Sequence, residues 1–247
     1  MSQRIQWPSP TIKTDDYFRF VKSFYLELAP SLSLEKRNII NFMQLLDEYE
    51  QLLQQFNHAY STQTAGENFC TPIHIGDPAK QNYYSVAWDI QKANDLFAEK
   101  KIPALIPPAK IQNTRSIDVT EAMIAQMGDK LDQPIYITIY PPSNTLVVID
   151  GNQRLAIHTA RGTAEIKAFL FDPVEHLQFM TDDLSRVRYY IHHNITVLMS
   201  YYAGLIEQVY TDEDHSYWNL DDQIRWSQYL FINRVADLKQ KNERISR

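Results

Sequence analysis

Apolar residues recur with two different periods along this chain. Over residues 15–28, Phe18, Val21, Phe24 or Tyr25, and Leu28 fall three or four apart behind Asp15, and Pro30 closes the segment. Residues 33–60 repeat the pattern with Ile39, Phe42, Met43, Leu46, Tyr49, Leu53, Phe56 and Tyr60, with Ser33 as the N-cap and Glu35 in the first turn. Side chains at that spacing share one face of a helix, so both stretches are predicted as helices that bury it, joined as a hairpin. Residues 1–14 are polar and proline-punctuated, an extended arm. Residues 61–76 are mixed and polar and read as a long loop. Val86, Ile90, Ala93 and Phe97 are in helical register and predict a helix over 83–101. Pro103, Pro107 and Pro108 end helical structure there.

From residue 104 to 172 the period changes. Val119, Met123, Ile124 and Met127 predict a short helix over 117–127, stopped by Gly128. Ile135-Tyr-Ile-Thr-Ile-Tyr140 alternates as a strand with one face in a core. Pro141-Pro-Ser-Asn144 is a turn, and the run beginning at Thr145 is a second strand, so the two form a hairpin. Asp150-Gly151-Asn152 turns into a helix over 153–161, Gly162 provides a left-handed cap, and 165–171 is a third strand. Helix, hairpin, helix and strand make a compact α+β unit with a small mixed sheet. Beyond Pro173 a long helix starts at Asp183 and carries Leu184, Val187, Ile191, Ile195, Leu198, Tyr202, Leu205 and Val209. Another covers 220–241 with Ile224, Tyr229, Phe231, Ile232, Val235 and Leu238. The organisation is thus an N-terminal helical region (1–102), an α+β core (103–173) and a C-terminal helical region (174–247).

Composition narrows the function. With 247 residues, 44% hydrophobic and 12% aromatic, the chain can bury a sizeable core. A formal charge of −6 argues against coating nucleic acid non-specifically. Six glycines form no Walker or Rossmann loop, and the lone Cys70 excludes an internal disulfide or a cysteine metal site within one chain. No apolar run approaches a membrane span and no signal-peptide core is present, so a cytoplasmic protein without a membrane partner is expected.

The stretch from Thr145 to Gly162 holds the candidate chemistry. A strand turning tightly into a helix leaves backbone N–H groups unpaired at the helix start, where the dipole favours an anion, and Arg154 adds charge in the first turn. Arg154 binds a phosphate or carboxylate there, or forms a salt bridge to Asp150 or Glu165. Asp150 is a candidate Mg²⁺ ligand or catalytic base, or a helix cap. Asn152 and Gln153 can bond a phosphate, ribose or base, or cap the helix. His192-His193 are adjacent on a helix and point about 100° apart, which does not suit one metal ion. The pairs Tyr83-Tyr84, Tyr189-Tyr190 and Tyr201-Tyr202 can stack bases or divide between core and edge. Arg234, Lys239, Lys241, Arg244 and Arg247 make the C-terminal end basic, just after a run of acids at Asp212, Glu213, Asp214, Asp221 and Asp222.

Asn113-Thr-Arg115, Gln133-Pro-Ile135 and Asp150-Gly-Asn-Gln-Arg154 occur in an order and spacing that resembles the ParB/sulfiredoxin fold, over about residues 104–172. The resemblance implies that the Gly151, Asn152 and Gln153 backbone and the Arg154 side chain hold nucleotide phosphates, with Arg115 closing the pocket. ATP or CTP, with Mg²⁺, would be the ligand. The chain departs from the family at its chemical positions. Asn152 stands where sulfiredoxins carry cysteine and partition proteins glutamate, and Gln153 where other members carry histidine. An amide is no general base, so phosphate hydrolysis or transfer stays open. A DNA-associated nuclease or partition-like clamp is the second expectation. A non-catalytic interaction module, its terminal helices binding a partner or a second copy, is the third.

Overall fold

The computed structural model describes residues 14–28, 40–59, 68–74, 83–97, 100–112, 117–211 and 229–245. Helix α1 (Thr14–Leu28) buries Phe18 and Val21, and α2 (Phe42–Ala59) buries Phe42, Leu46, Tyr49 and Leu53, as their spacing predicts. The start of α2 differs from expectation. Ile40 lies in a bend, and Asn41 Oδ1 accepts the Gln44 N–H at 3.2 Å, so Asn41 caps a helix that begins at Phe42. Ser33 and Glu35 lie outside the described residues, as does the arm over 1–13. Lys22 bridges the two helices through Asp47 and Glu50, at 2.7 and 2.8 Å.

The next stretch is not the expected loop and helix. β1 (Asn68–His74) and β2 (Tyr83–Asp89) pair antiparallel, and only then does α3 (Ile90–Phe97) begin. The buried residues of β2 are Tyr84, Val86 and Trp88, a period of two. Val86 fits a strand and a helix equally. Its aromatic neighbours favour the pleated surface, and packing against a helix described below decides the matter. The N-terminal region is therefore mixed rather than helical throughout. Thr71 Oγ1 donates to the Val148 carbonyl at 3.1 Å and ties this ribbon to the central sheet.

That sheet is built from β3 (Ala104–Ile106), β4 (Ile111–Gln112), β5 (Ile135–Tyr140), β6 (Thr145–Asp150) and β7 (Ile166–Phe171). Their spatial order is β3-β7-β5-β6-β4. The β3/β7 and β5/β6 pairs are antiparallel, the β5/β7 and β4/β6 pairs parallel. The protein is α+β with a mixed sheet. Helix α4 (Glu121–Met127) precedes β5, capped by Thr120, whose Oγ1 accepts the Met123 N–H at 3.2 Å. The hairpin turn places Asn144 in the left-handed region, φ 51°. Helix α5 (Asn152–Ala160) follows β6, and Gly162, at φ 64°, ends it with its N–H on Thr159 O while the Thr163 N–H reaches His158 O.

Helical structure resumes at Pro173, ten residues before the expected start at Asp183. In α6 (Pro173–Gln178) the proline occupies the first turn, where its missing N–H costs nothing, and Asp172 with Glu175 forms a capping box. Helix α7 (Asp183–Tyr202) starts on the Asp182 cap and stops sooner than its apolar pattern suggests. Gly204 turns the chain at φ 74°, and Leu205 is 78% exposed. β8 (Tyr210–Thr211) and β9 (Tyr229–Leu230) pair in parallel before α8 (Ile232–Ile245). The helix expected over 220–241 is thus a strand at Tyr229-Leu230 and helical from Ile232; residues 212–228 lie outside the described set.

The sheet divides two cores. Tyr140, Val147, Ile149 and Phe171 face a large cluster shared with α1, α2, β2 and α7; Ile135, Ile137, Val148, Ile166 and Ala168 face a small one closed by Leu155 of α5. Thirteen residues of α7 are buried, several of them polar, and two of these join neighbouring elements through hydrogen bonds. Asn194 Nδ2 donates to Tyr49 Oη at 2.8 Å, and its Oδ1 accepts the Phe231 N–H at 2.7 Å, so one amide joins α2, α7 and the entry to α8. Tyr84 Oη lies 2.8 Å from both Tyr140 Oη and His192 Nδ1, a buried chain linking β2, β5 and α7. His176 Nδ1 accepts from Trp88 Nε1 at 3.4 Å.

Burial pushes His176 down to about 3, and burial followed by the neighbouring His193 does the same for His192. Unfolded histidine titrates near 6.5, so between about pH 6.5 and 3 the unfolded chain binds protons that the folded one excludes. Stability is full above that window and falls on acidification through it, by up to about 1.4 kcal/mol per pH unit for each histidine. Urea midpoints are therefore expected to drop from pH 7 to pH 5, and a His176→Asn chain should show a shallower slope.

Candidate phosphate site at the start of helix α5

β6 enters the site as a buried run, Val147, Val148 and Ile149, and ends at Asp150. Gly151 is the N-cap of α5 at φ 98°, ψ 26°, and no side chain caps the helix. The glycine is required twice over. Its φ is left-handed, and a Cβ there would lie 2.6 Å from Ile135 Cγ2 and 3.0 Å from Arg154 Nη2. Without that side chain the turn presses directly onto the first residue of β5.

Arg154 lies beneath this turn with its side chain 11% exposed. Nη2 is 2.7 Å from Asp150 Oδ2, while Nη1 donates to the carbonyls of Pro134 at 2.8 Å and Gln133 at 3.2 Å. Arg154 is thus salt-bridged to Asp150. The bonds to Asp150, Pro134 and Gln133 take three of the five guanidinium N–H donors. They also bring two of the sequence motifs into contact, since Gln133-Pro134-Ile135 meets Asp150-to-Arg154 through this one side chain. Asp150 is correspondingly engaged: one of its oxygens neutralises Arg154.

Asn152, the first residue of α5, is 4% exposed, and neither its Oδ1 nor its Nδ2 has a partner. Gln153 is exposed. Arg115 lies outside the described residues, among 113–116; the strand before it, β4, runs parallel to β6 with Gln112 beside Val147.

Two residues absent from the sequence-based set border the site. Tyr136 is the cross-strand partner of Asp150 at a bulge that leaves Ile149 of β6 without a partner on β5, and its hydroxyl donates to Asn94 Oδ1 of α3. Burial raises the Tyr136 pKa, the Asp150 charge raises it further and Arg154 opposes. The position of Tyr136 directly after Pro134-Ile135 was the available signal, while Asn94 is remote in sequence and gave none. His158 holds the other end of α5. A carbonyl only accepts, so His158 Nε2–H donates to Leu131 O at 3.2 Å, and Nδ1 accepts from Thr163 Oγ1 at 3.2 Å.

The remaining candidates fall elsewhere. His192 and His193 are buried in α7, and among the described residues no group of three or more His, Cys, Asp or Glu is placed to hold a metal ion. Tyr84, Tyr189, Tyr190, Tyr201 and Tyr202 are buried core residues rather than exposed stacking surfaces; the Tyr83 side chain is outside the described set. Lys241 is paired with Asp183 of α7, which anchors α8, while Lys239 and Arg244 are exposed. No helix among the described residues is long and apolar enough to cross a membrane. Compared with family models, curated proteins and solved structures, the chain matches none.

Replacing Gly151 by alanine forces a Cβ into Ile135 and strains the left-handed turn. A loss of roughly 2–4 kcal/mol is expected, read as a lowered urea midpoint with an unchanged slope.

Proposed function

We propose that the protein binds a nucleoside triphosphate, ATP or CTP, at the start of α5. The observation that carries this is the buried, unpartnered amide of Asn152 at an uncapped helix N-terminus. Leaving a buried polar atom unmet costs about 1–3 kcal/mol, and Asn152 leaves two. Nδ2 needs an acceptor and Oδ1 a donor. Phosphate oxygens meet the first need, and a ribose hydroxyl or base amino group meets the second, so a nucleotide satisfies both.

The other parts of the site suit the same ligand. The first N–H groups of α5 point outward with the helix dipole behind them, and the Gly151 turn lets a ligand approach the backbone. Arg154 supplies positive charge with N–H donors to spare, balanced by Asp150 until an anion arrives. The ParB/sulfiredoxin-like order of motifs supports this, since Gln133-Pro134 and Arg154 are in contact here. Mg²⁺ would enter with the triphosphate, and Asp150 is the site's carboxylate for it. Asp150 is already paired with Arg154 and Gln153 is an exposed amide, so the groups present favour binding over turnover.

Calorimetry with ATP, CTP, GTP and UTP, each with Mg²⁺, tests this. One triphosphate is expected to bind one-to-one. Asn152→Ala should weaken it at least about tenfold, close to 1.4 kcal/mol, while leaving the fold as stable or more so, because it removes an unmet polar group. No heat with any triphosphate at millimolar concentration, or an undiminished signal from Asn152→Ala, contradicts the assignment.

A further inference from the structure

The small core under α5 does not fill its face of the sheet. Past that helix, at the opposite end of β6, the face opens into a concavity of about 630 Å³. Its floor is aliphatic and comes from four strands: Ile111 of β4, Ile139 of β5, Leu146 of β6 and Leu170 of β7. Leu146 and Leu170 are only partly buried and form the open margin of the small core. The volume is that of a site for a small organic molecule, and the floor calls for an apolar body.

The rim sets the polarity of such a ligand. Thr145 Oγ1 donates to Gln112 Oε1 at 2.8 Å. A hydroxyl has one proton, so the 2.7 Å contact between Ser143 and Thr145 has Ser143 as its donor, the shorter of that hydroxyl's two contacts, since the Tyr140 carbonyl lies 3.4 Å away. Hydrogen bonds thus run in one direction, Ser143 to Thr145 to Gln112. They occupy the Gln112 carbonyl oxygen and leave its Nε2 amide as the donating end. Lys110 stands beside it on the rim, the only charged residue among the described lining residues. Amide N–H and ammonium on one side of an aliphatic floor match an anionic head on an apolar tail.

We propose that this concavity is a second ligand site, for a monocarboxylate with an apolar chain. The carboxylate lies between Lys110 and the Gln112 amide, and the chain lies across Ile139, Leu146 and Leu170. The site is separate from the start of α5: β6 runs from Thr145 to Asp150, five residue steps, about 17 Å of extended chain. It does not depend on nucleotide binding there.

Octanoate, octanol and octylamine have the same tail and differ in the head, so calorimetry of all three against the full chain is the test. Octanoate is expected to bind one-to-one, octanol more weakly and octylamine weakest. Exposed Lys110 can be changed without disturbing the core, and Lys110→Glu should weaken octanoate about tenfold while octanol is unchanged. Ile139→Trp, which fills the floor, should abolish binding of all three, with circular dichroism reporting the fold. Equal affinity for the three heads, no octanoate heat, or octanoate binding indifferent to Lys110→Glu overturns the proposal. So does a concentration-dependent dimer in ultracentrifugation that Ile139→Trp dissociates, since a second copy of the chain would then be the occupant.

Discussion

A sheet with apolar residues on both faces has to be covered twice, and here the two covers are unequal. On one face Tyr140, Val147, Ile149 and Phe171 meet a core drawn from helices and strands on both sides of the sheet in the sequence. On the other, Ile135, Ile137 and Val148 have one nine-residue helix above them. Dropping that helix straight onto the sheet from the end of β6 needs a turn with no side chain in it, and Gly151 provides it at 2.6 Å from Ile135 by the position its Cβ would take. The candidate phosphate site is therefore a consequence of how the thin side of the sheet is closed. The open concavity beyond α5 is the part of that side left uncovered.

The thick side depends on polar contacts as much as on area. Helix α7 is buried nearly all round, so its His192 and Asn194 cannot face water. Asn194 fastens Tyr49 and the backbone of Phe231, and His192 fastens Tyr84, which in turn meets Tyr140 of the sheet. An apolar helix of the same shape would bury as much area but would not specify which neighbour sits where. These bonds hold the N-terminal and C-terminal helices in one core with the sheet.

The middle of the fold was the most legible part of the sequence. β5, β6, β7 and α5 lie within a residue or two of where alternation, turn residues and Gly162 place them. Those signals are local, and the local preference agrees with the final packing. β2 was misread because Val86, Ile90, Ala93 and Phe97 satisfy a helical period across a strand–helix junction. Only the burial of Tyr84 and Trp88 against distant residues separates the two. α6 is not among the elements the apolar pattern predicts, although Asp172 before Pro173 and Glu175 after it spell a helix start. In the site, the glycine and the arginine were legible, since their roles follow from backbone geometry. That Arg154 would spend its donors on Gln133 and Pro134 was not, because that contact exists only once β5 lies beside β6. The unmet amide of Asn152 is likewise a property of packing and not of residue type.

The proposed nucleotide site depends on what the Asn152 amide meets when a ligand is present, and side-chain NMR observes that amide directly. In ¹⁵N-labelled protein titrated with the Mg²⁺ triphosphate, the Asn152 Nδ2 resonances should shift to saturation together with the backbone N–H groups of Asn152 and Gln153. Saturating shifts confined to other residues, with the Asn152 side-chain amide unmoved, would contradict it.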